Sequence, residues 1–280
     1  MRSIVHPGPV TNERIQIAPC SGTPLTLELQ PGVTLEQAVD AALSLEGFDS
    51  VWLELRDAPA KPLRYVIPDH APDDSHVAWY SETQEFKHGR INRLGMIIGR
   101  YNGNTFTHSH GQWIDANGLQ AMGHLLATET ILSEPVVAKG FGLKGAKFDR
   151  RYDPETNFDL FHADSLDDSG NENEYAAVRL LPNQDFATAL DTACQQLGWQ
   201  SARVYGLGSL IGAKFEDGQM LDSFATEFLV TDAVAGLEPT EPEIVIVGFD
   251  GKQILSGRLY RGKNAVLVTA EIVMHRLSDR

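Results

Sequence analysis

Three histidines are the residues of this chain whose type and spacing could do chemistry. His108 and His110 are separated by one residue, and His124 follows fourteen residues after His110. Residues i and i+2 of a β-strand face the same side, so these two imidazoles would lie next to each other. The segment Asp115-Ala-Asn-Gly118 predicts a tight turn between two strands. The returning strand would bring His124 alongside the pair, which predicts a cluster of three imidazoles.

Three converging imidazoles suit a divalent transition metal, and zinc is the metal we expect. Zinc is commonly bound by neutral histidine, and a site with three protein ligands leaves a fourth position to water or a substrate. That arrangement is typical of a catalytic zinc site rather than a structural one. Iron, nickel or cobalt would also accept these ligands, so the identity of the metal stays open. The alternative is that the histidines are packed or surface residues with no metal between them.

A hydrolytic metal site also needs a group that transfers protons. We expect Glu134 to be that group or to hydrogen-bond to a metal ligand, because Pro135 holds it in an extended conformation. Glu129 is the second candidate. Arg93 and Arg100 are candidates for binding a carboxylate of the substrate through paired hydrogen bonds. For all four side chains, a structural or solvent-exposed role is the alternative.

The composition of the 280-residue chain restricts the class of protein. The net charge is −15, the pI is near 4.9, and the densest basic stretch, 144–151, holds four basic residues. Binding to a polyanion requires a basic surface, so nucleic acid is not expected to be the main partner. No apolar run reaches the roughly 18 residues of a membrane span, and the N-terminus lacks an apolar secretory segment. The two cysteines, Cys20 and Cys194, cannot form a disulfide framework, and we expect a cytoplasmic protein.

The chain contains the same sequence pattern twice. Residues 27–51 and 178–202 both consist of an apolar strand, a proline-containing turn, an amphipathic helix, a Gly-aromatic-x-Ser motif and a second strand. Several short strands with tight turns follow each helix, which predicts an α+β fold with a mostly antiparallel sheet. An acidic stretch with few apolar residues predicts a linker at 164–174. We therefore expect an N-terminal domain at 1–163 and a C-terminal domain at 175–280.

Capping signals mark the ends of both predicted helices. Thr34 and Gln37 have the spacing of a capping box before the first helix, and Asp185 is a suitable N-cap for the second. Gly47 and Gly198 occupy the positions of C-terminal capping glycines. Between these signals, apolar residues recur at helical spacing. The two units are therefore expected to contain one main helix each.

The two units differ at the histidines. The position of His124 in the first unit corresponds to Arg258 in the second, with one residue inserted. No histidine lies between Ala202 and Arg258. We therefore expect the metal site to belong to the N-terminal unit only. The C-terminal unit is then expected to serve packing, assembly or the shape of the pocket.

The sequence resembles the PPC domain (plants and prokaryotes conserved, also written PCC), here in tandem. The resemblance is carried by His108-x-His110, the turn Asn117-Gly118 and the segment Gly123-His124-Leu125. It covers most of both units, from residue 14 to 140 and from residue 175 to 276. The resemblance implies a small α+β domain with a curved antiparallel sheet, assembly as a trimer, and zinc bound by the three motif histidines.

Two features depart from that family pattern. Plant relatives combine the domain with AT-hook segments that bind DNA, but this chain has no Arg-Gly-Arg-Pro core, so that role does not carry over. The segment between Arg56 and Asn104 is longer than the family pattern and is expected to form a lid or an interface.

The function we expect is that of a metal-dependent enzyme, a hydrolase or a lyase, acting on a small metabolite that can carry a carboxylate. The alternative is a non-enzymatic module in which zinc stabilises a ligand-sensing or oligomerisation domain. A DNA-associated regulator is the weaker alternative because of the negative charge. We expect a homo-oligomer, a trimer by the family resemblance, that contacts no membrane. These residues define neither the substrate nor the reaction.

Overall fold

The computed structural model describes residues 1–43, 47–166, 173–236 and 238–278. These residues form a mostly antiparallel β-structure with two helices. The N-terminal half contains β1 (Ile15–Leu29), α1 (Leu35–Leu43), β2 (Ser50–Ala60), β3 (Leu63–Val66), β4 (Pro68–Asp69), β5 (Trp79–Tyr80), β6 (Gln84–Phe86), β7 (Gly89–Tyr101), β8 (Asn104–Asp115), β9 (Gln120–Leu125), β10 (Val136–Lys144), β11 (Ala146–Tyr152) and β12 (Asp159–Ser165). The C-terminal half contains β13 (Tyr175–Leu180), α2 (Phe186–Gln196), β14 (Ser201–Leu210), β15 (Ala213–Lys214), β16 (Met220–Leu221), β17 (Thr226–Asp232), β18 (Val234–Gly236), β19 (Glu243–Gly248), β20 (Ile254–Arg258) and β21 (Val266–Arg276).

Six strands in each half follow the same order. In the N-terminal half, β10 pairs with β1 and β2, β2 with β7, β7 with β8, and β8 with β9, always antiparallel. In the C-terminal half, β21 pairs with β13 and β14, β14 with β17, β17 with β19, and β19 with β20, again antiparallel. The repeated sequence pattern therefore corresponds to a repeated strand order. The expected α+β class with a mostly antiparallel sheet is confirmed.

The two halves pack directly against each other. Each half has its own apolar core, and β1 pairs antiparallel with β13 across the boundary. A third apolar cluster contains side chains from both halves, including Trp52 and Leu229. Gly95 on β7 marks a close approach there, because a Cβ at this position would lie 2.5 Å from Leu229 Cδ1 and 2.5 Å from the Trp52 ring. Residues that lie far apart in sequence can therefore share one site at this contact.

The predicted N-caps of both helices are confirmed. The Thr34 backbone N–H donates to Gln37 Oε1 at 3.1 Å, and the Gln37 backbone N–H donates to Thr34 Oγ1 at 3.3 Å. Asp185 accepts a hydrogen bond from the backbone N–H of Thr188 at 3.1 Å. These side chains satisfy backbone donors that have no partner inside the first turn of a helix.

The predicted linker at 164–174 overlaps the end of β12, which runs to Ser165. Residues 167–172 of that prediction lie outside the described residues, and β13 begins at Tyr175. The predicted domain boundaries, 1–163 and 175–280, therefore stay predictions. In the part of the chain that the structure describes, no helix is long and apolar enough to span a membrane.

Candidate metal centre

The three histidines lie on the hairpin formed by β8 and β9. His110 and His124 are directly opposite each other in the antiparallel register. His108 lies two residues before His110 on β8 and therefore faces the same side of the sheet. The predicted hairpin and the predicted convergence of the three rings are both confirmed.

The turn of this hairpin is stabilised by one carboxylate. Asp115 Oδ1 accepts hydrogen bonds from the backbone N–H groups of Asn117 and Leu119, both at 2.8 Å. Gly118 has a φ of 89°, a conformation that glycine adopts without steric strain. The hydrogen bonds from Leu119, Asn117 and Gly118 hold the pKa of Asp115 below its ordinary value. Asp115 is therefore a turn residue that fixes the register of the two histidine-bearing strands.

The nitrogens of the three rings are close enough to bind one ion. One potential ligand atom of each ring lies within 4.8 Å of the others. The Nε2 atoms of His108 and His110 are 3.2 Å apart. Bonds of about 2.0 Å to a tetrahedral zinc place two nitrogens about 3.3 Å apart, so this pair already has the spacing of two ligands. The three histidines form a group that could hold a metal ion.

Hydrogen bonds at Nδ1 decide which nitrogens face the centre. His108 Nδ1 lies 2.6 Å from Glu271 Oε2, and His110 Nδ1 lies 2.9 Å from the backbone oxygen of Phe228. Both partners are acceptors, so both Nδ1 atoms carry the hydrogen. An imidazole that binds a metal is neutral and has only one N–H, so in the metal-binding form both Nε2 atoms direct a lone pair into the space between the rings. Two facing lone pairs repel each other, and a cation between them removes the repulsion. The donor set therefore fits a transition metal.

Burial keeps two of the three rings in the neutral form that binds metals. The pKa values of His110 and His124 are well below the ordinary value, chiefly because burial disfavours the charged form. The neighbouring ring of His108 lowers both pKa values further. In addition, His124 Nδ1 is buried and has no hydrogen-bond partner among the described residues. An unpartnered buried nitrogen of this kind is available to an ion.

The C-terminal half supplies the groups that orient the histidines. Glu271 lies on β21, and Phe228 lies on β17. A third group, Glu227 on β17, is buried, and its Oε1 atom lies 3.9 Å from His110 Nε2. Burial raises the pKa of Glu227 well above its ordinary value, against an opposing hydrogen bond from the His124 backbone. All three histidines belong to the N-terminal half as expected, but the hydrogen-bond partners of His108 Nδ1 and His110 Nδ1 belong to the C-terminal half.

A small cavity of about 70 Å³ opens beside His108 and His110. Its walls come from both halves, and they are mostly apolar. The lining residues are Pro68, Ala78, Trp79, Tyr80, His108, His110, Phe158, Leu160, Gly208, Ser209, Ala225, Thr226, Glu227, Leu267, Val268 and Thr269. Trp79 stacks on Phe158 with ring centroids 5.3 Å apart, and the ring of Tyr80 contacts that of His124 edge-on at 5.4 Å. The segment expected to form a lid or an interface thus supplies β5 to this cavity.

Tyr80 keeps its phenolic proton at this site. The residue as a whole is 40% exposed, but burial of its hydroxyl end raises the pKa of the hydroxyl. The carboxylates of Glu227 and Glu271 raise this pKa further, while Arg150 lowers it. The side chain therefore offers an O–H donor to the cavity that it lines.

The other side chains singled out from the sequence lie elsewhere. Glu129 forms an ion pair with Arg64, and Glu134 is exposed. Arg93 donates to the backbone oxygen of Thr231 and pairs with Glu54, and Arg100 donates to Thr105. None of the four lines the cavity beside the histidines. Their proposed roles as proton-transfer and substrate-binding groups remain predictions that this geometry does not favour.

Three residues of the site were not identified from the sequence, namely Tyr80, Glu227 and Glu271. A signal for the two glutamates exists, because each is the one acidic residue in a nearly continuous apolar run, Phe224–Val230 and Ala265–Met274. A charged residue inside a buried strand is rarely tolerated without a partner, so it marks a candidate site. Tyr80 carries no comparable signal, because its neighbours are polar and aromatic residues of a long connecting segment.

No protein-family model matches the chain, and no curated protein matches it significantly. Among solved structures, a metal-containing protein from Archaeoglobus fulgidus is 18% identical, and the match covers 51% of this chain and 94% of that one with a TM-score of 0.39. A plant- and prokaryote-conserved (PPC) protein from Pyrococcus horikoshii is 16% identical, with coverages of 56% and 99% and a TM-score of 0.39. A candidate DNA-binding protein from Ralstonia eutropha JMP134 is 16% identical, with coverages of 49% and 89% and a TM-score of 0.37.

Each of these matches spans about half of this chain and nearly the whole of the other protein. With identities below 20% and TM-scores below 0.4, they carry no argument about the function of this protein. The functional argument therefore depends on the residues of the histidine cluster and its surroundings.

Proposed function

We propose that this protein is a metal-dependent enzyme, a hydrolase or a lyase, with zinc bound by His108, His110 and His124. The observation that carries the proposal is the convergence of the three rings, in which the Nε2 atoms of His108 and His110 lie 3.2 Å apart. Zinc in such a site acidifies a bound water or polarises a carbonyl group of the substrate. Three protein ligands leave a position for that water or substrate, which is the arrangement of a catalytic site.

The groups around the histidines determine which ring nitrogens carry a proton. Glu271 accepts the Nδ1–H of His108, and the Phe228 backbone oxygen accepts that of His110. These hydrogen bonds fix the orientation of both rings and increase the basicity of their Nε2 atoms. The hydroxyl of Tyr80 remains protonated, and Tyr80 lines the cavity in which a substrate would lie.

The proposed substrate is a small metabolite. Its size is restricted by the cavity of about 70 Å³. No lysine or arginine is among the residues that line the cavity, so a carboxylate of the substrate would find no cationic side chain there. The metal itself would be its positive partner. A substrate with an apolar body fits the surrounding walls better than a highly charged one.

The second candidate function is a non-enzymatic module in which the metal stabilises a ligand-sensing or assembly domain. The observation that favours it is the position of the histidines at the contact between the two halves, where Glu271 and Phe228 reach them. A metal there would stabilise the folded chain as a whole. This alternative predicts that removing the metal lowers the unfolding temperature but changes no reaction.

The proposed architecture is a pair of tandem PPC-like domains that assemble into a cytoplasmic homotrimer. The motif around His108, His110 and Gly123-His124-Leu125 supports the family, and the repeated strand order supports the tandem arrangement. Light scattering coupled to gel filtration measures the number of chains. A mass of one chain would contradict the trimer without affecting the metal site.

Elemental analysis of the purified protein tests the metal site, with Arg258→Ala as the matched control. Arg258 is the residue that corresponds to His124 in the second half, and it pairs with Glu241 and Glu243. We expect one zinc per chain in the wild type and in Arg258→Ala, and none in His124→Ala. Faster hydrolysis of p-nitrophenyl acetate by the zinc-loaded than by the chelated protein would then favour a hydrolase over a structural module. A wild type without metal, or His124→Ala that retains it, overturns the site.

A further inference from the structure

We propose that Glu227 is a positioning residue of this site, which accepts a hydrogen bond from the ligand held beside the histidines and so selects ligands with an O–H or N–H group. This inference rests on the proposed metal site. It assigns a function to the C-terminal half, whose expected contribution was packing, assembly or the shape of the pocket.

One oxygen of the buried Glu227 carboxylate has no hydrogen-bond partner among the described residues, although the carboxylate accepts a hydrogen bond from the His124 backbone. The residue is 5% exposed, and its Oε2 atom has no hydrogen-bond partner among the described residues. Buried polar groups in native proteins nearly always have such a partner, and an exception calls for an unseen water, ion or ligand. Glu227 is also one of the residues that line the cavity. Its unsatisfied oxygen is therefore available to a molecule bound in this cavity.

The distances place Glu227 beside the metal ligands rather than among them. Its Oε1 atom lies 3.9 Å from His110 Nε2, which is longer than a hydrogen bond. The set of potential ligand atoms that lie within 4.8 Å of one another consists of His108, His110 and His124 and does not include Glu227. The carboxylate thus lies next to the histidine cluster. A molecule bound to a metal held by the three histidines would lie within reach of this carboxylate.

The rest of the cavity defines the chemical class of this ligand. Leu267, Val268 and Phe158 form apolar walls, and Trp79 stacks on Phe158. The ligand is therefore a small molecule with a hydrogen-bond donor on or next to its metal-binding atom and an apolar remainder. Such a donor is present in alcohols, amides, hydroxamates and water. It is absent from an ion that contains no hydrogen.

Two probes of the cobalt-loaded protein test the inference. Acetohydroxamate binds metals through its oxygens and carries an N–H donor, whereas thiocyanate binds metals without carrying any donor. The dissociation constant of each probe is measured from the visible absorption of cobalt(II) in the wild type and in Glu227→Gln. The matched control is Glu85→Gln, because Glu85 is exposed and pairs with Arg64 instead of lining the cavity. Circular dichroism verifies that each variant is folded.

We expect Glu227→Gln to keep one cobalt per chain and to bind acetohydroxamate about tenfold more weakly. The amide has a single acceptor oxygen, which the His124 backbone N–H occupies, and the nitrogen that replaces the free oxygen donates instead of accepting. Thiocyanate affinity should not change, and Glu85→Gln should resemble the wild type with both probes. If the glutamine variant misfolds, Glu227→Met has a similar length and no acceptor, and the same comparison of probes applies.

Three outcomes contradict the inference. Unchanged acetohydroxamate affinity shows that Glu227 does not contact the ligand, and equal weakening of both probes shows a structural role only. Loss of cobalt from Glu227→Gln shows that Glu227 is itself a metal ligand. A wild type that binds no cobalt overturns the proposed metal site as well, whereas the first two outcomes leave that site intact.

Discussion

The hairpin β8–β9 in the N-terminal half and the hairpin β19–β20 in the C-terminal half occupy the same place in the repeated strand order. β8 carries His108 and His110, whereas the corresponding β19 is the apolar run Glu243–Gly248. The second half nevertheless contributes to the same site through Glu227 and Glu271 on neighbouring strands. The difference shows that equal strand order does not imply equal function. One half presents the imidazoles, and the other supplies the acceptors that orient them.

The largest effect on stability is expected where the two halves join. Arg179 on β13 is completely buried, and it donates to Asp153 at 2.7 Å and to Thr269 at 3.3 Å. Arg179→Ala leaves the buried carboxylate of Asp153 without its cation, so we expect a loss of about 3–5 kcal/mol in the free energy of unfolding. Urea denaturation followed by tryptophan fluorescence measures this loss.

The control for this variant is an exposed arginine of the same half. Arg258 pairs with Glu241 and Glu243 at the surface, where water and salt screen the charges. Arg258→Ala should change the midpoint of urea unfolding very little. Equal effects of the two substitutions would show that the junction of the halves contributes no more to stability than the surface does.

An intermediate effect is expected at the acceptor that orients His108. Glu271→Gln replaces the carboxylate 2.6 Å from His108 Nδ1 by an amide of nearly the same shape. Outer hydrogen-bond partners of metal ligands typically change metal affinity by about 10–100-fold, and we expect a loss in this range for zinc. Competition with a chromophoric chelator measures the affinity. An unchanged zinc affinity would show that Glu271 of the C-terminal half does not contribute to metal binding.

The smallest effects are expected at the two helix N-caps, which are the most similar parts of the halves. Thr34→Ala removes a capping box from α1, and we expect a loss of about 1 kcal/mol in the free energy of unfolding. Asp185→Ala should cost more, because Asp185 Oδ2 also accepts from the backbone N–H of Asn264 at 3.0 Å. Thermal unfolding by calorimetry ranks the two variants. The reverse order would contradict the additional role of Asp185.

Much of the fold and part of the site could be predicted from the sequence because the signals are local. The helices at 35–43 and 186–196 follow from capping residues and apolar periodicity, and both lie where these signals place them. The hairpin follows from the turn Asn117-Gly118 between two strands, and this turn brings His124 opposite His110. Residues close in sequence are restricted by strand and turn geometry alone, so their spacing contains the information.

The carboxylates that lie beside the histidines could not be predicted in the same way. Glu129 and Glu134 are close to the histidines in sequence, yet one pairs with Arg64 and the other is exposed. Glu227 and Glu271 are more than 100 residues from the histidines and line or contact the cluster. Closeness in sequence does not show which carboxylates lie near the histidines. The strands of the two halves meet at this site, and no local sequence signal indicates that they do.

The sequence by itself determined the repeated α+β pattern, the two helices and a strand pair that carries three imidazoles on one face. The tertiary structure alone decided that the C-terminal half packs against this strand pair and presents Glu271, Glu227 and the Phe228 carbonyl to the rings. The physical reason is the range of the interactions. Strand alternation, turns and caps act within a few residues, whereas the acceptors at the histidines are set by how two apolar sheet faces pack together.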